Sequence, residues 1–159
     1  MLIFTMVVRI REIMTSPVIT IRKNAKVSET ASAMCAHNIG SIIVVDHEEK
    51  PVGIVTERDM IRKVIVTCKN PKAMDVTQIM SSPLVTGNPN MDLENVAKLM
   101  IKNEIKRLPL VEEGKVVGIA TFTDLIRSQP QIVAILERSM GIDKLPRRFK
   151  KLMRKKNRN

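Results

Sequence analysis

Aromatic side chains are nearly missing from this chain of 159 residues, which has three Phe and neither Tyr nor Trp. Proteins that hold single-stranded nucleic acid commonly stack bases on aromatic rings, so the scarcity counts against such a platform. Any core must be built from Ile, Val, Leu, Met and Ala, and an apolar fraction of 44% allows one. Cysteine is equally sparse: Cys35 and Cys68 are too few for a disulfide framework. Nothing near the N-terminus reads as a signal peptide. The run from Leu2 to Val8 is far too short to span a bilayer and reads as an edge strand or a segment packed on the body. Together these absences lead to the expectation of a reducing, cytoplasmic setting.

Catalytic signatures are missing as well. There is no Ser/His/Asp arrangement, no Walker-type Gly-Lys-Thr loop and no Gly-x-Gly-x-x-Gly. Cys35-x-His37 would point its two side chains to different faces of a helix, and no second pair exists to complete a metal site. Cys35 reads as inert core, Cys68 as linker and His47 as a solvated turn residue. No enzyme activity, no catalytic cofactor and no metal are expected. Acidic side chains are absent from one stretch: residues 144–159 carry nine Lys or Arg and no Asp or Glu, which leaves 18 basic against 16 acidic side chains elsewhere. The net charge of +11 therefore belongs to a tail on a nearly neutral body.

What the chain does have is repetition. Ile13-Met14-Thr15-Ser16-Pro17-Val18-Ile19-Thr20 recurs 66 residues later as Ile79-Met80-Ser81-Ser82-Pro83-Leu84-Val85-Thr86. Gly53-Ile54-Val55-Thr56-Glu57-Arg58-Asp59 recurs 65 residues later as Gly118-Ile119-Ala120-Thr121-Phe122-Thr123-Asp124. Ala31, Met34 and Ile39 match Ala97, Met100 and Ile105 between these anchors. Each copy reads β-α-β-β-α. An extended Ser-Pro step leads to a short strand, then to a helix with apolar residues at three- and four-residue spacing (Val27, Ala31, Met34, Cys35; Leu93, Val96, Ala97, Met100). A buried strand follows (Ile42–Val45; Leu108–Val111), then a polar turn, a strand through Gly53 or Gly118, and a helix from Thr56 or Thr121. A repeat of roughly 60 residues buries too little surface to stand comfortably alone, so the two are expected to pack through their sheets about a pseudo-two-fold and share one core. The Ser-x-x-Gln pattern of Ser128 and Gln131 predicts one more helix, through Met140, with Gly141 as its stop.

These paired motifs, with Asn38-Ile39-Gly40-Ser41 before one Val-Val-Asp strand end and Ile105-Lys106-Arg107-Leu108-Pro109-Leu110-Val111 in the other copy, resemble CBS domains, the repeat named after cystathionine β-synthase. The resemblance covers roughly residues 7 to 128. It implies an α+β fold, a CBS pair or Bateman module, with domains at 7–66 and 76–128, a linker at 67–75, and a C-terminal helix and basic tail at 129–159. Pairs of this kind carry two clefts that bind AMP, ADP, ATP, S-adenosylmethionine or related ligands, and commonly form a disc-shaped homodimer. The implied role is regulatory, with an unidentified protein reading the ligand-bound state.

The residues that would hold such a ligand have plainer readings beside them. Thr56-x-x-Asp59 and Thr121-x-x-Asp124 have the pattern of a helix capping box. Each follows a Gly-containing strand, so the helix opens with free N–H groups that suit a phosphate, while a carboxylate can accept from ribose hydroxyls. The resemblance places the Asp on ribose and the Thr near phosphate. Arg58 and Thr123 sit one residue before each Asp, and Arg58 suits a phosphate as well as it suits solvent. The resemblance also implies that basic side chains at the position of Lys106 and Arg107 reach phosphate; the first copy has Gly40 and Ser41 there, so the two clefts should differ in anion affinity, with the second the stronger. By resemblance Val18, Thr20, Ile39, Pro83, Val85 and Ile105 would line the adenine; taken one at a time, each reads better as strand core. Leu145, Phe149, Leu152 and Met153 give the basic tail an amphipathic spacing. Three readings compete for it: a solvated extension, which leads, an arm for nucleic acid, and a helix for an anionic membrane or acidic partner.

Overall fold

The computed structural model describes residues 7–141 and 147–154. It divides into two compact units. One takes Pro17–Leu84 with Glu113–Val116; the other takes the segment up to Ser16, Val85–Glu112 and the chain from Val117 onward. They are called the first-repeat and second-repeat units below.

In the first-repeat unit β1 (Thr20–Arg22) runs parallel to β2 (Ser41–Val45), which pairs antiparallel with β3 (Pro51–Thr56). The buried β-branched run Ile42–Val45 occupies the centre of this three-stranded sheet, where strands covered on both faces read as continuous apolar stretches. Helix α1 (Val27–Ala36) begins after Lys26, whose side chain cannot accept from the first turn. The segment 67–75, expected as a linker, does that work instead: Met74 O accepts from Val27 N at 2.9 Å and Pro71 O from Ser28 N at 3.1 Å, satisfying two of the helix's orphan donors. Helix α2 (Glu57–Met60) continues into a wider π-helical turn, Ile61–Ile65, closed by Val66 N donating to Ile61 O at 2.9 Å.

The second-repeat unit holds α3 (Leu93–Lys102), the hydrogen-bonded strands β4 (Arg107–Glu112) and β5 (Lys115–Thr121), α4 (Phe122–Ser128), α5 (Ile132–Met140) and α6 (Arg147–Arg154). The strand expected at its start is reduced to one parallel bridge, Gly87 to Leu110. Gly87 replaces the Ile21 of β1, and Pro89 stands where Lys23 donates its N–H to Val45 O in the first copy. Neither substitute favours extending the ladder. Ser128 ends α4 and does not cap α5, whose N-cap is Gln131 without a side-chain bond. Gly141 stops α5 at φ +78°, a conformation that favours glycine.

The repeats interlock through their lead segments. Thr15 N donates to Ile119 O at 2.9 Å and Ile119 N to Thr15 O at 3.1 Å, so the lead segment of the first copy lies on β5 of the second. Ser81 and Ile54 exchange the matching bonds at 2.9 and 3.2 Å, which sets the lead segment of the second copy on β3 of the first. Met14 covers Gly118 and Met80 covers Gly53 so closely that a Cβ on either glycine would collide with the methionine side chain. The Ile-Met-x-Ser-Pro and Gly-Ile-x-Thr motifs are thus two halves of one joint, made twice with copies exchanged.

Buried apolar side chains form two clusters among the described residues. One gathers Val27, Met34, Ile42, Val44, Val55 and Ile79; the other gathers Ile10, Val96, Met100, Leu110, Leu125 and Leu136. Phe149 of α6 belongs to the second cluster. It is fully buried and meets Phe122 edge to face, with ring centroids 4.6 Å apart. The expectation of a solvated tail is therefore corrected for α6, which is anchored by its aromatic residue. Leu145 lies outside the described residues, as do the side chains of Leu152 and Met153. Phe149→Ala should cost the second-repeat unit about 3–5 kcal/mol, the usual range for emptying a buried Phe site. Urea unfolding followed by circular dichroism measures it, and a loss below about 0.5 kcal/mol would mean that α6 is not docked in solution.

Candidate functional site

At the end of β3 the chain turns into α2, and at the end of β5 into α4. The two turns are built alike. Thr56 Oγ1 accepts from Asp59 N at 3.3 Å, while Asp59 Oδ2 accepts from Thr56 N at 2.9 Å and from its hydroxyl at 2.7 Å. In the second copy Thr121 Oγ1 accepts from Asp124 N at 3.2 Å, and Asp124 Oδ2 accepts from Thr121 N at 3.0 Å and its hydroxyl at 2.5 Å. The capping reading of both motifs is thus observed directly, and it fixes the carboxylates in place. Gly40 O receives Glu57 N at 3.2 Å, and Lys106 O receives Phe122 N at 2.9 Å. The Gly40-Ser41 and Lys106-Arg107 pairs therefore occupy equivalent places beside their helix starts.

The two carboxylates differ in what their second oxygen meets. Asp59 Oδ1 forms an ion pair with Lys63 at 3.0 Å, and Lys63 also donates to Ile79 O at 2.6 Å. Both oxygens of Asp59 are occupied, and its side chain is 15% exposed. Among the described residues Asp124 Oδ1 has only Arg127 at 4.0 Å, and its side chain is 29% exposed. Lys63 was absent from the sequence-based site, although its i,i+4 spacing from Asp59 is a readable signal. Arg58, Lys106 and Arg107 make no ion pair or side-chain hydrogen bond among the described residues. Arg58, Thr123 and Lys106 are exposed, and Arg107 is half-buried. The second-repeat turn thus combines an available carboxylate oxygen with two uncompensated cations. The first offers Arg58 beside a carboxylate already neutralised.

Of the residues expected to line an adenine, Ile39 packs partly buried on the first cluster, and Val85 and Ile105 on the second. Val18 is half-buried, whereas Thr20, at the head of β1, and Pro83 are exposed. Val18, Thr20, Ile39, Pro83, Gly40 and Ser41 all fall in the first-repeat unit with Thr56, Arg58 and Asp59; Val85 and Ile105 fall in the second with Lys106, Arg107, Thr121, Thr123 and Asp124. Cys35 is exposed and not core, a correction to its place on the apolar stripe of α1. Cys68 is also exposed, and His47 is solvated in its turn at 80% exposure. Among the described residues no cluster of His, Cys, Asp and Glu could hold a metal ion, and no helix is long and apolar enough to cross a membrane.

A family model for the CBS domain matches this chain twice, over residues 10–66 and 76–130. An uncharacterized protein of Methanopyrus kandleri is 37% identical over 84% of this chain and 68% of its own length. The CBS domain-containing protein YhcV of Bacillus subtilis is 37% identical over 76% of this chain and 84% of its own. Among solved structures, a hexameric CBS-CP12 protein from bloom-forming cyanobacteria superposes with a TM-score of 0.73 at 35% identity, covering 81% of this chain and 76% of that one.

Removing the cap in either copy should destabilise the protein by about 1 kcal/mol. Thr56→Ala and Thr121→Ala, compared by urea midpoint at constant slope, measure this. A midpoint unchanged by both would show that the boxes do not hold the turns.

Proposed function

The chain belongs to the CBS-domain family, as a pair of domains, and on that premise we propose that it is a regulatory module that binds an adenosine nucleotide and performs no chemistry of its own. The supporting observation is the turn from β5 into α4. There Asp124 presents an oxygen that the fold leaves available, suited to accept from ribose hydroxyls. Lys106 and Arg107 supply positive charge for phosphate beside the start of α4. Val85 and Ile105 give an apolar surface on which a base can lie without an aromatic partner. AMP, ADP, ATP and S-adenosylmethionine share the adenosine that this arrangement would grip; they differ in the charge that Lys106 and Arg107 would meet.

The first-repeat site, with Thr56, Arg58, Asp59, Gly40 and Ser41, would be the weaker of the two. Lys63 already satisfies Asp59, so a ribose must displace an existing ion pair, and Gly40-Ser41 brings no charge. In this reading the module works as a homodimer in the cytoplasm, and a partner protein reads the difference between bound and free forms. The ligand shifts that balance only by its difference in affinity for the two. Burial of Phe149 gives α6 a structural role, and no structural observation favours the nucleic-acid reading for residues 144–159.

Thermal unfolding with each of the four adenosine ligands, at low and high salt, tests the reading. One of them should stabilise the protein by about 2.7 kcal/mol at a hundredfold excess over its dissociation constant, and the shift should persist at high salt. By titration calorimetry Asp124→Asn should weaken binding about tenfold or more, with a smaller effect from Asp59→Asn. Binding of the effective ligand unchanged in both variants would refute the site, and no shift with any of the four would refute the ligand class. Lys63→Met frees Asp59 and should strengthen binding at the first-repeat site; a calorimetric stoichiometry and affinity no different from wild type would show that the ion pair does not gate it.

A further inference from the structure

One lysine ties a candidate ligand site to the backbone that holds its strand. Lys63 Nζ meets two acceptors, Asp59 Oδ1 at 3.0 Å and Ile79 O at 2.6 Å. Ile79 is fully buried, and among the described residues no other hydrogen bond reaches its carbonyl. A buried carbonyl without a donor is costly, so Lys63 carries part of the stability of this segment. Ile79 also opens the joint on β3. Met80 follows it and crosses Gly53, and Ser81 then exchanges backbone bonds with Ile54. From there β3 runs to Thr56, whose N–H and hydroxyl both donate to Asp59 Oδ2. The contacts close a ring: carboxylate, lysine, lead segment, strand, cap and carboxylate again. Every member lies inside the first-repeat unit.

The second copy does not repeat the ring. At the 65-residue offset that relates Asp59 to Asp124, Lys63 is matched by Ser128, the last residue of α4. Ile13, the match of Ile79, is half-buried, and among the described residues its carbonyl receives no side-chain donor. Arg127 comes no nearer to Asp124 than 4.0 Å and is 76% exposed.

We propose that Lys63 is the residue through which ligand at the first-repeat site acts on the fold, so that the weaker of the two sites is the one that signals. The inference rests on the adenosine reading above and assigns the response to one site. The cap takes Asp59 Oδ2, so a ribose hydroxyl must donate to Oδ1, where Lys63 sits. Released from the carboxylate, an ammonium on a flexible four-carbon stem has no fixed position. The Ile79 carbonyl then loses its donor, and the hold of the Met80 segment on β3 weakens. Ligand at Asp124 meets no such strap and leaves its own lead segment as it was. The two sites thereby divide the work. The second-repeat site fills first, and the first-repeat site, filled at higher concentration, loosens the joint beside it.

Native-state amide exchange, with occupancy followed by titration calorimetry, tests the proposal using AMP, ADP, ATP and S-adenosylmethionine in turn. In the free protein Lys63→Met should speed exchange of the Ser81 and Ile54 amides about tenfold. The ligand that fills both sites should speed the same two amides in wild type and add nothing in Lys63→Met. Asp124→Asn, which spares the first-repeat site, should keep that response. Ligand at both sites with Ser81 and Ile54 unmoved, or ligand at the second-repeat site alone, would overturn the strap and leave the adenosine reading standing. Binding of none of the four would overturn both.

Discussion

The joint between a methionine and a glycine holds each half of this protein together. Met14 lies over Gly118 and Met80 over Gly53, with a pair of backbone hydrogen bonds beside each. Only a glycine leaves room for the thioether chain to cross the strand, and only a long flexible side chain fills that shallow space well. Because each lead segment serves the other copy's strand, the two sequence repeats cannot be cut apart at the linker into two complete units. The chain enters the second-repeat unit, leaves it at Pro17 to build the first, and returns at Val85.

That joint also sets the candidate sites. Each covered strand runs on from its glycine to a threonine that caps the next helix, so the strand's position fixes the cap, and the cap fixes the carboxylate three residues later. Up to that point the copies are equivalent. Their difference comes from one side chain in the following turn, Lys63 on Asp59, and from the exchange of Gly40-Ser41 for Lys106-Arg107. Duplication supplied two similar frames, and local charge differs between them: Asp59 is paired with Lys63, whereas Lys106 and Arg107 stand beside Asp124.

Much of this was legible along the chain, because it depends on local rules. The duplication, the helix starts at Thr56 and Thr121, the stop at Gly141 and the buried run Ile42–Val45 follow from spacing, capping chemistry and hydropathy. What was not legible depends on contacts far apart in sequence. Nothing near Met14 says that its glycine lies in the other copy. Cys35 continues an apolar stripe and so reads as core, yet it is exposed and lines an open cavity with Met34, Met60 and Ile61. The charge run around Phe149 reads as solvated, and the burial of that one ring overrides it. The loss of a strand at Gly87 was visible in its Gly and Pro but masked by the repeat pattern, which invites the second copy to be read like the first.

The exchanged joint can be tested most directly by native-state amide hydrogen exchange, residue by residue, in Met14→Ala and Met80→Ala. The account predicts that Met14→Ala, a change in the first repeat's sequence, speeds exchange in β5 and α3 of the second repeat and leaves β2 and β3 protected, while Met80→Ala does the reverse. Faster exchange confined to β2 and β3 in Met14→Ala would contradict it, and would mean that each repeat is closed by its own lead segment.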